Sequence, residues 1–380
     1  MTDLIRVAVV GCGVIGRNHA RVIDEHPAFE LVAAVDPVAE NSARLVAEHP
    51  GLKAYPTLQD ALDEVDLVVI CTPSGTHLAL AQQAVAAGKH VVIEKPLDVD
   101  VARGIEFAGL ARRAAEAGQV VTVISQHRFD PASVAVARAV HGGRFGKPTS
   151  AVASVSWWRD QDYYDSGDWR GTWRLDGGGA LMNQGVHTAD LLCLFLGRPV
   201  EVQASARLLA HERVEVEDTV AATVVFESGA IAVLLATTAA YPGLTARIQV
   251  HGTEGSAIID NDRLEYFHAK AAGGHEGGAG SVTGGAVTGN QAEAEVGLAE
   301  TPAGPRTDHD FVLGHRRQYD DVAHAISTGA RPGVTIEDAL LSLAFVRAIY
   351  VSAALGERVL VADVLAGKYP DVHLDVRKDS

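Results

Sequence analysis

Basic clusters, paired cysteines, membrane-length apolar runs and aromatic side chains are all scarce in this 380-residue chain, and each scarcity excludes something. The 32 lysines and arginines stand against 48 aspartates and glutamates, a formal net charge of −16 with no basic run. A nucleic-acid partner, which needs clustered cations against phosphates, is therefore not expected. An anionic small molecule stays open, because a few local arginines dominate a pocket whatever the total charge. Cys12, Cys71 and Cys193 are odd in number, far apart and without C-x-x-C spacing. Neither a disulfide framework nor a zinc knuckle is expected, no metal site stands out, and the thiols read as reduced and packed. "MTDLIRVAVVGCG" runs straight into a strand pattern without the order of a signal peptide. No apolar stretch reads as a membrane span, so the expectation is a cytoplasmic protein with no membrane partner. Aromatic residues are 6% of the chain and apolar residues 47%, which fits a packed core of Ala, Val and Leu.

What is present is rhythm. The length suggests two domains at roughly 150 residues each. "IRVAVVG", "ELVAAVD", "DLVVICTP", "HVVIEKP" and "VVTVIS" are short apolar runs separated by helical stretches such as "RNHARVIDEH" and "HLALAQQAVAAG". Such βα alternation predicts a doubly wound parallel sheet over residues 1–125. From 126 to 380 the pattern changes to "TSAVASVSWW", "VEVQASARLL", "DTVAATVVFE", "AIAVLLATT", "ARIQVHG" and "SAIID", strands with short turns between them. These predict an α+β domain built on a large open antiparallel sheet. Residues 271–305, rich in Gly, Ala, Glu, Ser and Thr, read as a flexible loop. Two helices follow, the second entered by Thr335 with Asp338 three residues on, a capping pattern. No internal repeat is visible.

Gly11, Gly13 and Gly16 form G-x-G-x-x-G between the first strand and the first helix, with Val14 and Ile15 inside it. The first two glycines allow a tight turn and close approach to a pyrophosphate, and the third allows close packing of the helix. Asp36 lies 20 residues past Gly16, at the end of the second strand. A carboxylate there accepts hydrogen bonds from both ribose hydroxyls and repels a 2′-phosphate, which favours NAD over NADP. Arg6 and Arg44 leave NADP as the weaker alternative. "VVIEKPL" places Glu94, Lys95 and Pro96 at the carboxyl end of a strand, the edge where such sheets bind ligands.

"GGGALMNQGVHTADLL" reads as a buried helix that carries Asn183, His187 and Asp190 on one face. Oxidising a secondary alcohol needs a base with a pKa near neutrality as hydride leaves, and His187 is the obvious residue. Lys95, held cationic, would stabilise the developing alkoxide. Asn183 would hydrogen-bond a hydroxyl or orient His187. Ahead of this stretch, "SVSWWRDQDYYDSGDWRGTWRLDGGG" concentrates all four tryptophans with tyrosines and arginines, residues suited to sugar rings, nicotinamide, carboxylates or phosphates. Arg128, Trp158, Arg159, Tyr163 and Tyr164 are candidates for the substrate, as are His315 and Tyr319, four apart on a later helix. Gln126, Trp169 and Arg170 are candidates for the cofactor.

With "GCGVIGRNHA", "CTPSGTH", "HVVIEKPL", "QHRFDP" and "GGGALMNQGVHTADLL" in that order, the chain resembles the glucose-fructose oxidoreductase / inositol dehydrogenase / MocA family over nearly its whole length. The resemblance implies a Rossmann domain followed by an open antiparallel sheet, with hydride transfer at their junction. It implies that Lys95 contacts the reacting carbinol and that His187 serves as acid/base. It adds Thr72, Pro73, His77 and Glu94 to the cofactor site. Many relatives carry aspartate at the position of Asn183, so this chain departs there from the commonest pattern and the resemblance does not carry a Lys-His-Asp relay over to it. The function implied is NAD-dependent oxidation of a sugar, a sugar derivative such as a nucleotide sugar, or a cyclitol. The alternatives are an NAD-dependent glycosidase acting through transient oxidation and a non-catalytic dinucleotide-sensing regulator. An uncovered sheet face predicts a homodimer or homotetramer.

Overall fold

The computed structural model describes residues 4–270, 289–297 and 308–376. They form two compact units: Met1–Gln126 with Asp165–Met182 and Arg306–Ala344, and His127–Tyr164 with Asn183–Pro305 and Phe345–Ser380.

The first unit is built on a six-stranded, all-parallel sheet. Its strands are β1 (Ile5–Val10), β2 (Phe29–Val35), β3 (Lys53–Tyr55), β4 (Leu67–Ile70), β5 (His90–Ile93) and β6 (Val121–Val123), in the order β3-β2-β1-β4-β5-β6. The strands are continuous apolar runs because helices cover both faces, and all of Leu67–Ile70 is fully buried. The sequence pattern misses β3, whose three residues are partly exposed and too few to show a period. Asp100 caps the helix Val101–Glu116 by accepting from the N–H of Ala102 at 2.7 Å and of Arg103 at 3.3 Å. The late helix Asp308–Thr328 belongs to this unit, with Tyr319 and Val322 in the same core as Val9, Leu67 and Ile23. Gln318 ties it to the end of β6, donating to the Val123 carbonyl at 2.8 Å and accepting from the Ser125 N–H at 2.9 Å.

The second unit carries an eight-stranded sheet. Its strands are β7 (Pro148–Ser156), β8 (Pro199–Arg207), β9 (Thr219–Phe226), β10 (Ile231–Thr237), β11 (Ala246–Gly252), β12 (Gly255–Asp260), β13 (Arg263–Ala269) and β14 (Val359–Leu360). The order is β13-β12-β11-β7-β10-β9-β8-β14. The expected antiparallel arrangement holds except between β7 and β10, which run parallel with Ala153 opposite Leu234. Those two strands are joined by no hairpin, so no turn enforces reversal between them. Alternation is clean: Ala151, Ala153 and Val155 are buried, and their neighbour Val152 is 45% exposed. Ile231 and Val233 on β10 are exposed alike, so one face carries uncovered β-branched side chains. Helices Pro131–His141 and Val186–Leu196 pack on each other, the first against β12 and β13 and the second against β7 and β11.

Residues 271–288 and 298–305 of the expected loop lie outside the described residues. Within its remainder, Ala292–Val296 is a short helix on β13, held by Gln291, whose backbone N–H donates to the Phe267 carbonyl at 2.7 Å. Thr335 and Asp338 form the expected reciprocal cap, with Thr335 N donating to Asp338 Oδ2 at 2.9 Å and Asp338 N to Thr335 Oγ1 at 3.2 Å. The helix they open, Ile336–Leu355, is long and apolar enough to cross a membrane by composition, contrary to the expectation that no stretch would be. It is nevertheless a core element: 61% of its most apolar window is buried, and Leu343, Phe345, Val346 and Ile349 are inaccessible.

Candidate functional site

The glycine loop shows why Gly11 and Gly16 must be glycine. Gly11 has φ +92°, and a Cβ there would stand 2.7 Å from the Cys71 carbonyl oxygen. A Cβ on Gly16 would stand 1.9 Å from the Gly11 carbonyl, so only glycine lets the helix Val14–Asp24 close on the loop. At Gly13 the opposite holds: nothing lies within 4 Å of a Cβ. No side chain caps the helix that begins there. An open space in front of uncapped backbone N–H groups suits a pyrophosphate. Asp36 is buried beside it. Its Oδ2 accepts from the Cys12 N–H at 2.9 Å, and its Oδ1 accepts from the Val38 N–H at 2.9 Å and Asn41 Nδ2 at 3.3 Å. Burial, then the Asp36 charge, push the Cys12 thiol up to about 12, so it stays protonated. All three cysteines are free and buried.

The next two strand ends are pinned together. Thr76 Oγ1 donates to the Pro73 carbonyl at 2.7 Å, and the buried His77 ring has one nitrogen 2.8 Å from the Thr72 carbonyl and the other 2.8 Å from that of Pro96. Burial lowers the His77 pKa. This ties the turn after β4 to the loop after β5, where the Lys95–Pro96 bond is cis. Segment 165–182 closes on the same loops: Gly75 N donates to the Leu175 carbonyl at 3.1 Å, and Gly177, at φ +81°, packs where a Cβ would meet Val99 Cγ1 at 2.6 Å. The freedom of Gly177 is thus used for packing against Val99.

Lys95 is half-buried at the carboxyl end of β5. Burial lowers its pKa from the ordinary lysine value; Glu94 and Asp176 oppose that change and Arg170 adds to it. Asp176, a residue the sequence reading passes over, is buried and accepts from the Gly171 N–H at 2.9 Å. Arg170 stacks on Trp169 at 4.4 Å, so the two sequence-marked cofactor candidates form a pair in the same unit. Glu94 is also committed. Its Oε2 accepts from the Lys95 N–H at 3.0 Å and its Oε1 lies 2.7 Å from His19 Nε2 and 3.8 Å from His315 Nε2. Burial acts to raise its pKa, but the contacts with His19 and His315 hold it well below the carboxylate range. His19 Nδ1 reaches the Tyr319 hydroxyl at 2.8 Å. His315 and Tyr319, marked for substrate from sequence, are therefore buried in this network.

The "GGGALMNQGVHTADLL" stretch, which belongs to the second unit from Asn183 on, is not one uniform helix. Ala180–Gly185 is a π-helical turn and Val186–Leu196 the α-helix proper. From Asp176 to Cys193 every residue is buried except Asn183 and His187. The wider turn and the helix thus bring two polar side chains out of an otherwise sealed segment. The Tyr163 hydroxyl lies 3.5 Å from Asn183 Nδ2 and 3.3 Å from Gln184 Nε2, while Gln184 Oε1 is buried without a hydrogen-bond partner among the described residues. The Arg159 guanidinium stacks over Tyr163 at 5.1 Å and Trp157 at 5.4 Å. Trp158 bridges to Ala239 and meets Tyr241 edge-on at 5.4 Å. Tyr164 is buried, its hydroxyl 2.8 Å from Thr238 Oγ1, and burial raises its pKa. Arg128 and Asp190 take each other up in a buried fork, Nε to Oδ2 at 2.7 Å and Nη2 to Oδ1 at 2.6 Å. Asp190 thereby anchors its helix, and the Arg128 fork is spent on it.

Residues 5–125 match the Gfo/Idh/MocA oxidoreductase family, NAD-binding Rossmann fold, and residues 133–258 match the Gfo/Idh/MocA C-terminal domain. The chain belongs to the Gfo/Idh/MocA oxidoreductase family. This family member is similar to the WlbA dehydrogenase of Bordetella pertussis, solved with NADH and UDP-GlcNAcA: 30% identity, TM-score 0.82, covering 95% of this chain and 98% of that one. The inositol 2-dehydrogenase of Rhizobium meliloti is 29% identical over 269 residues, 68% of this chain and 76% of that protein. The scyllo-inositol 2-dehydrogenase (NAD(+)) of Bacillus subtilis is 28% identical over 276 residues, 70% and 77%.

Within the Gfo/Idh/MocA frame, the groups missed in the sequence are those that act through a neighbour. Asp176 bears on the charge of Lys95, and His19 lies 2.7 Å from Glu94, which the sequence did mark. His127 packs against His187, ring centroids 4.9 Å apart. His19 and His127 stand inside quoted motifs, but no spacing rule assigns either of them a role. Each is a single polar residue brought in by tertiary packing, so no local pattern marks it.

Proposed function

We propose that this oxidoreductase uses NAD to oxidise a secondary alcohol of a sugar, a sugar derivative or a cyclitol. The observation that carries the reading is the row of groups along one edge of the parallel sheet. The open cradle at Gly13, the Asp36 carboxylate and the desolvated Lys95 follow β1, β2 and β5 in a single unit. Bound NAD supplies the hydride acceptor. Lys95, kept cationic by Glu94 and Asp176, stabilises negative charge on the carbinol oxygen. His187 accepts the hydroxyl proton, and Asn183, Gln184 and Tyr163 hold neighbouring hydroxyls. Arg159 offers a fork to a carboxylate or phosphate, which, with the UDP-GlcNAcA-bound relative, makes a nucleotide-linked sugar acid the first substrate to try. The test follows NADH formation with UDP-linked sugar acids, free aldoses and inositols, each with NAD and NADP. Competent NADH binding with no turnover on any of them would defeat the reading.

Asp36 makes the choice of NAD testable. Asp36→Ser removes the charge that repels a 2′-phosphate, so the NAD over NADP ratio in kcat/KM is expected to fall at least about tenfold, or ~1.4 kcal/mol. The same change deprives the Cys12 and Val38 N–H groups of their acceptor. A stability loss on the order of 1–3 kcal/mol should accompany it, read as a lower denaturation midpoint. The uncovered β-branched face of the second unit's sheet fits self-association as a dimer or tetramer, measurable by light scattering.

A further inference from the structure

Beside His187 stands a charged cluster that the proposed reaction leaves unused. His127 lies in the turn Gln126–Phe129, Asp130 precedes the helix Pro131–His141, and Asp262 sits between β12 and β13 at φ +64°. His127 Nδ1 is 2.9 Å from Asp130 Oδ2 and 3.1 Å from Asp262 Oδ1. A ring nitrogen between two carboxylates carries a proton, and two anions favour the doubly protonated ring. Burial acts against that charge, yet Asp262 and Asp130 together raise the His127 pKa to about 10. The rings of His127 and His187 meet edge-to-face, 4.9 Å between centroids at 84°.

We propose that His127 is a positioning residue for the base: a fixed imidazolium whose edge-to-face contact sets the plane of the His187 ring and whose charge offsets Asp130 and Asp262, which would otherwise favour a second proton on His187. This rests on the reading of His187 as the base. The other charges on the packed elements do not compete. Asp190 on the same helix is neutralised by Arg128, and Arg247 on β11 is paired with Asp260. His141 is engaged with the Leu194 carbonyl at 2.8 Å. β7 carries no charged side chain. His251 on β11, Arg138 on the helix and Arg263, Glu265 and His268 on β13 also stand on the packed elements, and His127 is in ring contact with His187.

The sign of the effect follows. His127→Asn removes a positive neighbour and unmasks two carboxylates, and both changes raise the His187 pKa. The acid limb of kcat/KM should therefore move up by about one pH unit, with kcat reduced roughly tenfold below the old optimum and KM changed far less. Nitrogen NMR of the full chain labelled at histidine gives a second readout that needs no variant to fold. His127 should stay doubly protonated to above about pH 8. A His127 that titrates near the ordinary histidine value of ~6.5, or an acid limb unmoved in folded His127→Asn while His187→Gln is inactive, overturns the proposal alone. Full turnover in His187→Gln overturns the reading of the base and this proposal with it.

Discussion

Lys95→Met is expected to lower kcat by about 10² to 10³ while leaving NADH affinity within a few-fold of the parent. The asymmetry comes from placement. The proposed cofactor cradle is made by Gly11, Gly13, Gly16 and Asp36, none of which depends on the Lys95 side chain. On the proposed role, only the charge available to the reacting oxygen is lost. Methionine keeps most of the side-chain length and volume, so the result reports the ammonium rather than a cavity. Lys95→Arg is not a rescue, because the planar fork cannot take the place of a compact ammonium at the end of β5. Stopped-flow measurement of the hydride step and fluorescence titration with NADH separate the two quantities. A variant retaining more than about a tenth of the parental kcat would contradict the role.

The pH dependence of the same residue has a definite direction. In the proposed reaction, turnover in the oxidative direction needs the cationic form, so activity is expected to fall as Lys95 loses its proton. Burial lowers its pKa, which brings the alkaline limb of the rate profile below the ordinary lysine range. Asp176 opposes that lowering. Asp176→Asn keeps a side-chain oxygen for the Gly171 N–H but removes the negative charge, so the alkaline limb should move further toward neutral pH. An unchanged limb in a folded Asp176→Asn variant would mean that another group sets it.

How much of this was legible beforehand depends on whether the determinant is local. The βα rhythm, the three glycines and Asp36 are read directly, because a strand covered on both faces and a loop closing on a helix each demand particular residues at short spacing. The capping pair Thr335 and Asp338 is local in the same way and forms as expected. Asn183 and His187 stood out as polar residues in an apolar helix, and they are the two that escape burial there. Their π-helical setting was not legible, since one extra residue per turn leaves no composition signal. Nor was the return of 165–182 and 306–344 to the first unit, which rests on contacts such as Gly75 with Leu175 and Gln318 with Val123. Arg128, Asp190, His315 and Tyr319 have the chemistry of ligand-binding groups. What sequence could not show is that packing satisfies them internally, in a carboxylate–guanidinium fork and in a buried network around Glu94.

His187→Gln should cost about 10² to 10⁴ in kcat, the range for removal of a positioned general base. Glutamine retains a polar side chain at the one helical position that emerges with Asn183, so the fold has little reason to change. The core beneath that position is made by Val186, Ala189, Leu192 and Phe195, all buried and untouched by the substitution. The deficit should shrink as pH rises, because hydroxide or a deprotonated substrate increasingly supplies what the imidazole supplied. The decisive comparison is with Lys95. If the ammonium stabilises charge on an oxygen that the imidazole deprotonates in the same step, the two losses overlap. The Lys95→Met, His187→Gln double variant should then be little worse than the poorer single variant. Losses that multiply would mean that the two groups serve separate steps, and the assignment of a shared carbinol would have to be abandoned.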